Sequence, residues 1–258
     1  MKNLFDLAGK VAVVTGASSG LGASAAIAYA EYGADVALLA RRKEKLEVVA
    51  AKIEKMGRKA KVVVCDVADE KSVELAIEEV IREFGKIDIL LNNAGRAVRG
   101  AIDQLSLDDW NSAIDTNITG VYLVSKNVIP HMKKAGGGKI VNIASVNALI
   151  GDKTPELARH AYNATKAAVM GLTIGMAASY GIDGITVNSI GPGLFETEMT
   201  EGTLFKHEGF MSRYNALCPM GRPAHKDELN GTIIYFSSDA SSYVTGQYVI
   251  VDGGISIV

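Results

Sequence analysis

Short runs of β-branched and other apolar residues alternate with helical stretches along the whole chain, and this alternation restricts the fold more than any other feature. The runs are KVAVVTG from Lys10, DVALLA from Asp35, KVVVCDV from Lys61, IDILLNNAG from Ile87, KIVNIAS from Lys139, ITVNSIGPG from Ile185 and QYVIVDGG from Gln247. Each is apolar at nearly every position, as a strand is when both of its faces are covered. Between them, DEKSVELAIEEVIREFG repeats Val73, Ala76, Ile77, Val80, Ile81 and Phe84 at helical spacing, with Gly85 as the stop. RKEKLEVVAAKIEKMG turns Leu46, Val49, Ala50 and Ile53 inward and ends at Gly57. A third helix opens at Ser106 with an acidic first turn and runs through NVIPHMKK; Trp110 within it reads as packing. The pattern predicts an α/β fold with a doubly wound, parallel, seven-stranded sheet. The chain has 258 residues, 48% of them apolar, with no linker and no internal repeat, so residues 1–258 are expected to form a single domain. From Gly193 to about Pro223 no strand is expected, and about 194–223 reads as a substrate loop or lid.

A net charge of −2, with lysine and arginine spread along the sequence, gives no basic footprint for nucleic acid. Cys65 and Cys218 have no metal-ligand spacing, nor do His131, His160, His207 and His225, so no metal is expected. Both cysteines read as reduced thiols, Cys65 within the core. The amino-terminal residues lack a secretory apolar region, and no run of about 18 apolar residues could cross a bilayer. A soluble, cytoplasmic protein is expected.

VTGASSGLGASAAIAYA sets Thr15, Gly16, Gly20 and Gly22 between the first strand and the first helix. Glycines there permit positive φ and let a pyrophosphate approach the backbone above the positive end of a helix. The position in the first strand-helix unit predicts dinucleotide binding. A carboxylate about 20 residues beyond the glycines would hold the ribose 2′-hydroxyl of NAD. Here that place is Ala40, followed by Arg41 and Arg42. Without a carboxylate, and with guanidinium groups able to pair with a 2′-phosphate, NADP is expected, with Arg41 the favoured contact.

In HAYNATKAA, Tyr162 and Lys166 stand four residues apart and share one helix face. By itself the pair is an amphipathic couple with its polar tips in water. Together with TGASSGLG, CDV, NNAG, DTN, NIAS, YNATK and GPGLFET in that order, the chain resembles the short-chain dehydrogenase/reductase family over nearly its whole length. The resemblance implies a Rossmann fold, a nicotinamide cofactor and a homotetramer. It assigns the catalytic tetrad to Asn117, Ser145, Tyr162 and Lys166. Cofactor contacts fall on Gly16, Ser18, Ser19, Gly20, Leu21, Gly22, Arg41, Arg42, Asp66, Val67, Asn93, Ala94, Gly95, Pro192, Gly193 and Thr197, besides Tyr162 and Lys166. Hydride transfer to a ketone leaves negative charge on oxygen, which a donor already in place must meet. In this reading Ser145 hydrogen-bonds that oxygen and Tyr162 delivers the proton. Lys166 lowers the phenol's pKa from about 10, and Asn117 anchors a water leading to solvent. Asn188 is expected to brace its strand.

Tyr162 follows Ser145 by seventeen positions, a longer separation than is usual in the family. The intervening NALIGDKTPELARHA resembles the loop of gluconate 5-dehydrogenases and related polyol enzymes, with hydroxysteroid dehydrogenases as the other similar members. Substrate contacts are expected from Arg96, Asn147, Phe195 and Phe205, with Arg99 and the apolar residues Leu194, Met199, Leu204, Phe210 and Met211 nearby. Arginine would suit a carboxylate and the apolar residues a steroid or acyl chain. The leading expectation is an NADP-dependent interconversion of a secondary alcohol and a ketone on a sugar acid or polyol. A hydroxysteroid such as a bile acid, a 3-oxoacyl thioester, and a non-catalytic NADP(H)-sensing protein remain alternatives.

Overall fold

Strand residues alternate between two cores, and this alternation sets the architecture. In β1 (Val11–Thr15), Ala12 and Val14 join one apolar cluster while Val13 joins the other. In β2 (Asp35–Ala40), Val36 and Leu38 divide from Ala37 and Leu39 in the same way. Successive side chains of a strand point to opposite faces, so an unbroken apolar run feeds two layers at once. In this computed structural model, residues 3–153, 157–201, 205 and 208–258 are described.

The sheet has seven parallel strands in the order β3-β2-β1-β4-β5-β6-β7. The remaining strands are β3 (Ala60–Val64), β4 (Ile89–Asn92), β5 (Gly138–Ile143), β6 (Ile185–Pro192) and β7 (Tyr248–Val251). On one face lie α1 (Gly20–Glu31), α2 (Lys43–Lys55) and α9 (Asn230–Ser237). On the other lie α3 (Glu70–Phe84), α5 (Gly120–Ala135) and α6 (His160–Tyr180). Chain order reverses between β1 and β4, which opens a crevice beyond the carboxyl ends of those strands, where open α/β sheets bind ligands.

The caps follow local chemistry. The Asp69 carboxylate accepts the Ser72 amide at 2.6 Å to start α3, and Gly85 ends it at φ +77°. Ser106 accepts the Asp109 amide at 3.1 Å and starts α4 (Leu107–Ile114). Where one regular helix is expected from Ser106, the structure inserts a π turn, Asp115–Thr119, between α4 and α5. The wider turn rotates Asn117 into the interior, where it is 1% exposed. The segment after β6 also departs from the irregular loop expected. It contains α7 (Glu198–Glu201) and α8 (Glu208–Leu217), the latter with Phe210 and Tyr214 stacked one turn apart at 6.2 Å. Asn188 braces β6, donating to the Val244 carbonyl at 2.8 Å and accepting the Gln247 amide at 3.0 Å.

Candidate active site

The crevice is a cavity of about 700 Å³ along the carboxyl edge of the sheet, from β2 across β1, β4 and β5 to β6. The loop between β1 and α1 supplies Gly16, Ser18, Ser19, Gly20 and Leu21 to its lining. Gly16 has φ +67°, and a Cβ there would stand 2.8 Å from Asn93 Nδ2. A Cβ on Gly22 would meet the same nitrogen and lie 2.5 Å from the Gly16 carbonyl. Gly22 is thus required for helix-to-strand packing and does not itself line the cavity. Asn93 holds the loop from the other side, donating to the carbonyls of Thr15 at 3.0 Å and Gly16 at 3.3 Å.

Asp66, Val67, Ala94, Gly95, Pro192, Gly193 and Thr197 line the same cavity. So do Arg41 and Arg42, but their settings differ. Arg41 is extended into solvent, its side chain 77% exposed and 3.8 Å from the Asp66 carboxylate. Arg42 turns inward and donates to the hydroxyls of Ser18 at 3.1 Å and Ser19 at 2.8 Å. Arg42, not the Arg41 favoured from the sequence, is the guanidinium bonded to the glycine-loop serines.

Ser145 follows β5 and is anchored by the Tyr248 hydroxyl, which donates to its carbonyl at 2.5 Å. Its own hydroxyl accepts the Asn147 amide at 3.2 Å. Tyr162 and Lys166 project from the first two turns of α6 into the cavity, the ammonium 5.6 Å from the phenol ring centre. Burial pushes the Tyr162 phenol above its ordinary value, while a hydrogen bond with Ser145 and the nearby Arg159 guanidinium pull it down. Burial lowers Lys166 to about 8. Burial is the largest influence on the phenol here, and Ser145 and Arg159 oppose it. Lys166 Nζ donates to the Ile143 carbonyl at 2.7 Å.

Asn117 lies behind the cavity wall. Its carboxamide accepts the Arg96 amide at 2.7 Å and donates to the Arg96 carbonyl at 2.9 Å and to Thr165 Oγ1 at 3.0 Å. With those atoms engaged, the side chain ties the β4 loop to α6.

On the β4 to β6 side, Arg96, Arg99, Asn147 and Phe195 line the cavity. Phe205 does not; it follows α7, beyond the 194–200 stretch that contributes lining residues. Phe210 and Met211, in α8, are also outside the lining. The Met199 side chain, Gly202, Leu204, His207 and residues 154–156 lie outside the described residues. Sequence reasoning missed Arg159, which lines the cavity with its side chain 15% exposed and Nε 3.0 Å from Asp152. It also missed Glu198 at the β2 end. Neither lies in a recognisable motif. Among the described residues no group of three or more His, Cys, Asp or Glu could hold a metal, and no helix is long and apolar enough to cross a membrane.

A doubly wound sheet with a glycine loop, a half-buried tyrosine and a buried lysine at its switch point defines a dinucleotide-type fold, and the family is given by comparison. The family model described as enoyl-(acyl carrier protein) reductase matches residues 16–256, and the chain belongs to the short-chain dehydrogenase/reductase family, oxidoreductases acting on CH–OH groups. It is 42% identical to the gluconate 5-dehydrogenase of Gluconobacter oxydans (strain 621H), over 99% of this chain and 98% of that protein. It is 40% identical to the D-threitol dehydrogenase of Mycolicibacterium smegmatis, over 98% and 95%. Among solved structures it is similar to a gluconate 5-dehydrogenase from Burkholderia cenocepacia J2315 in complex with NADP and tartrate. That match has a TM-score of 0.93 at 38% identity, over 99% of this chain and 98% of that one.

Proposed function

We propose that the protein is an NADP-dependent oxidoreductase that interconverts the secondary alcohol of a sugar acid or polyol with the corresponding ketone. The observation that carries this reading is the single cavity. It joins Arg42 and the glycine loop, on the β2 side, to Tyr162, Lys166 and the guanidinium groups of Arg96, Arg99 and Arg159. Its residues fit the cofactor: Gly16 and Gly20 line the cavity without side chains, no carboxylate stands at Ala40, and Ser18, Ser19 and Arg42 converge as polar groups able to donate. The similarity to gluconate 5-dehydrogenase and D-threitol dehydrogenase supports the substrate class.

When bound, the nicotinamide supplies or accepts the hydride. Ser145 and Tyr162 together meet the oxygen of the reacting carbon, and Tyr162 gives or takes its proton. Lys166, held by Ile143, adds positive charge beside the phenol and a donor for the cofactor ribose. Asn117 is a positioning residue that fixes Arg96 and α6 relative to each other. Residues 194–223 serve as a cover, of which Leu194, Phe195, Thr197, Glu198 and Thr200 face the cavity. The chain acts as one domain, in the cytoplasm, as a homotetramer. An open groove on α6 beside Gly171, Gly175 and Leu172 supports the assembly.

The test is reduction of 5-ketogluconate and a ketose panel followed by NADPH absorbance, with NADH, an oxo bile acid and an acetoacetyl thioester in parallel. NADPH-dependent turnover of a sugar ketone, falling by about 100-fold or more in Tyr162→Phe, is expected. Preference for the steroid or thioester would overturn the substrate reading, and full activity of Tyr162→Phe would overturn the mechanism.

A further inference from the structure

A carboxylate of the chain itself occupies the anion cradle beside the glycine loop. Arg42 holds Ser18 and Ser19 through Nη2, and through Nη1 it donates to Glu198 Oε2 at 3.1 Å. Lys45 Nζ closes on the other oxygen, Oε1. Each oxygen of Glu198 thus has its own cation. Lys45 foremost, then Arg42 and Ser19, hold the carboxyl down to about 2. The partners come from the loop after β1 and from the β2-α2 junction, whereas Glu198 is the first residue of α7 in the cover. Thr197, its neighbour, lies over the glycine loop, 3.3 Å from where a Gly20 Cβ would be. The ion pairs therefore fasten the cover to the β2 end of the cavity.

We propose that Glu198 stands in for the 2′-phosphate of the cofactor: it fills the cradle in the free protein, the phosphate displaces it, and its departure releases α7. The inference rests on the NADP reading above. A carboxylate and a phosphate offer a guanidinium the same paired oxygen acceptors, so one cradle serves both. They cannot share it, because both are anions. The exchange favours the phosphate, which carries nearly two charges at neutral pH. It is also easy: the side chains of Arg42, Lys45 and Glu198 are 48%, 44% and 47% exposed, and ion pairs so open to water are weak. NAD has no group to put in the cradle and leaves Glu198 fastened. Glu198 in this way couples cofactor choice to the cover, at some cost in affinity for the 2′-phosphate.

The test uses 2′,5′-ADP and 5′-AMP, which reach the adenosine end without a nicotinamide, titrated calorimetrically into the full chain and its Glu198→Gln variant. The wild type is expected to bind 2′,5′-ADP more tightly than 5′-AMP. Glu198→Gln, an exposed and nearly isosteric change, is expected to tighten 2′,5′-ADP about 3- to 10-fold, in the range of site-to-site couplings, and to leave 5′-AMP unchanged. Amide exchange in α7 is expected to rise when the wild type binds 2′,5′-ADP but not 5′-AMP. If the wild type prefers 2′,5′-ADP yet Glu198→Gln leaves that affinity unchanged or weaker, or α7 exchange does not move, the latch is wrong and the NADP reading stands. Equal binding of the two fragments by the wild type would remove the NADP reading itself.

Discussion

At Lys166 and Tyr162, burial acts on groups that are charged in opposite protonation states. It penalises the ammonium and the phenolate alike, so Lys166 falls to about 8 while Tyr162 rises. Lys166 binds its proton with an ordinary value of 10.5 in the unfolded chain, so its burial costs stability in full below about 8. Between about 8 and 10.5 the unfolded state holds more protons than the folded one, and the cost fades as pH rises. Lys166→Met should accordingly be more stable than the wild type at pH 7 by about 1–3 kcal/mol, allowing for the lost bond to Ile143. In urea unfolding, that advantage should shrink between pH 8 and 10. A variant less stable than the wild type at pH 7 would show that the bond to Ile143 outweighs the buried charge. The types and spacing of these two residues were plain in YNATK. Their depth was not, because a four-residue spacing fixes a shared helix face but not what covers it. The same limit hid Arg159, the residue just before α6, which lines the cavity and pairs with Asp152.

At the scale of elements, the glycine loop is a packing joint as much as a binding surface. Gly22 lets α1 approach the Gly16 carbonyl and Asn93, with no room for a methyl group. Gly22→Ala should therefore destabilise the fold by about 2–3 kcal/mol through overpacking and weaken nucleotide binding by shifting the loop. Gly57, with open space around it, provides the control: its Ala variant meets only the strain of φ +75°. Equal losses in the two variants by chemical denaturation would refute the packing argument. The strand and helix runs were legible because an apolar period survives in one dimension. The π turn at Asp115–Thr119 was not, because DTNIT has no local signal for one extra residue in a turn. It arises from Asn117 satisfying both backbone groups of Arg96, a partner twenty-one residues away. The helices α7 and α8 were missed because neither has an apolar face long enough to register as a period.

At the scale of the whole molecule, Gly171 and Gly175 on α6 are exposed, and a Cβ at either would meet nothing within 4 Å. Each costs a helix interior about 1 kcal/mol relative to alanine, and the proposed assembly would account for their place by close approach of a second copy. Gly175→Arg should fill the groove and break the assembly, seen as a fall in mass by sedimentation and a loss of concentration dependence in Tm. An unchanged mass would put the interface elsewhere. The sequence alone determined the parallel sheet, the place of its switch point and the pairing of Tyr162 with Lys166 on one helix face. Those depend on periodicity and on turns a few residues long, which local sterics and hydrophobic burial dictate. Only the tertiary structure decided that Arg42 bonds the glycine-loop serines, that Glu198 pairs with it, that Phe205 is not part of the cavity lining and that Asn117 is engaged by Arg96. Each of those outcomes is a competition between partners distant in the chain, settled by which donor and acceptor the folded backbone brings within about 3 Å.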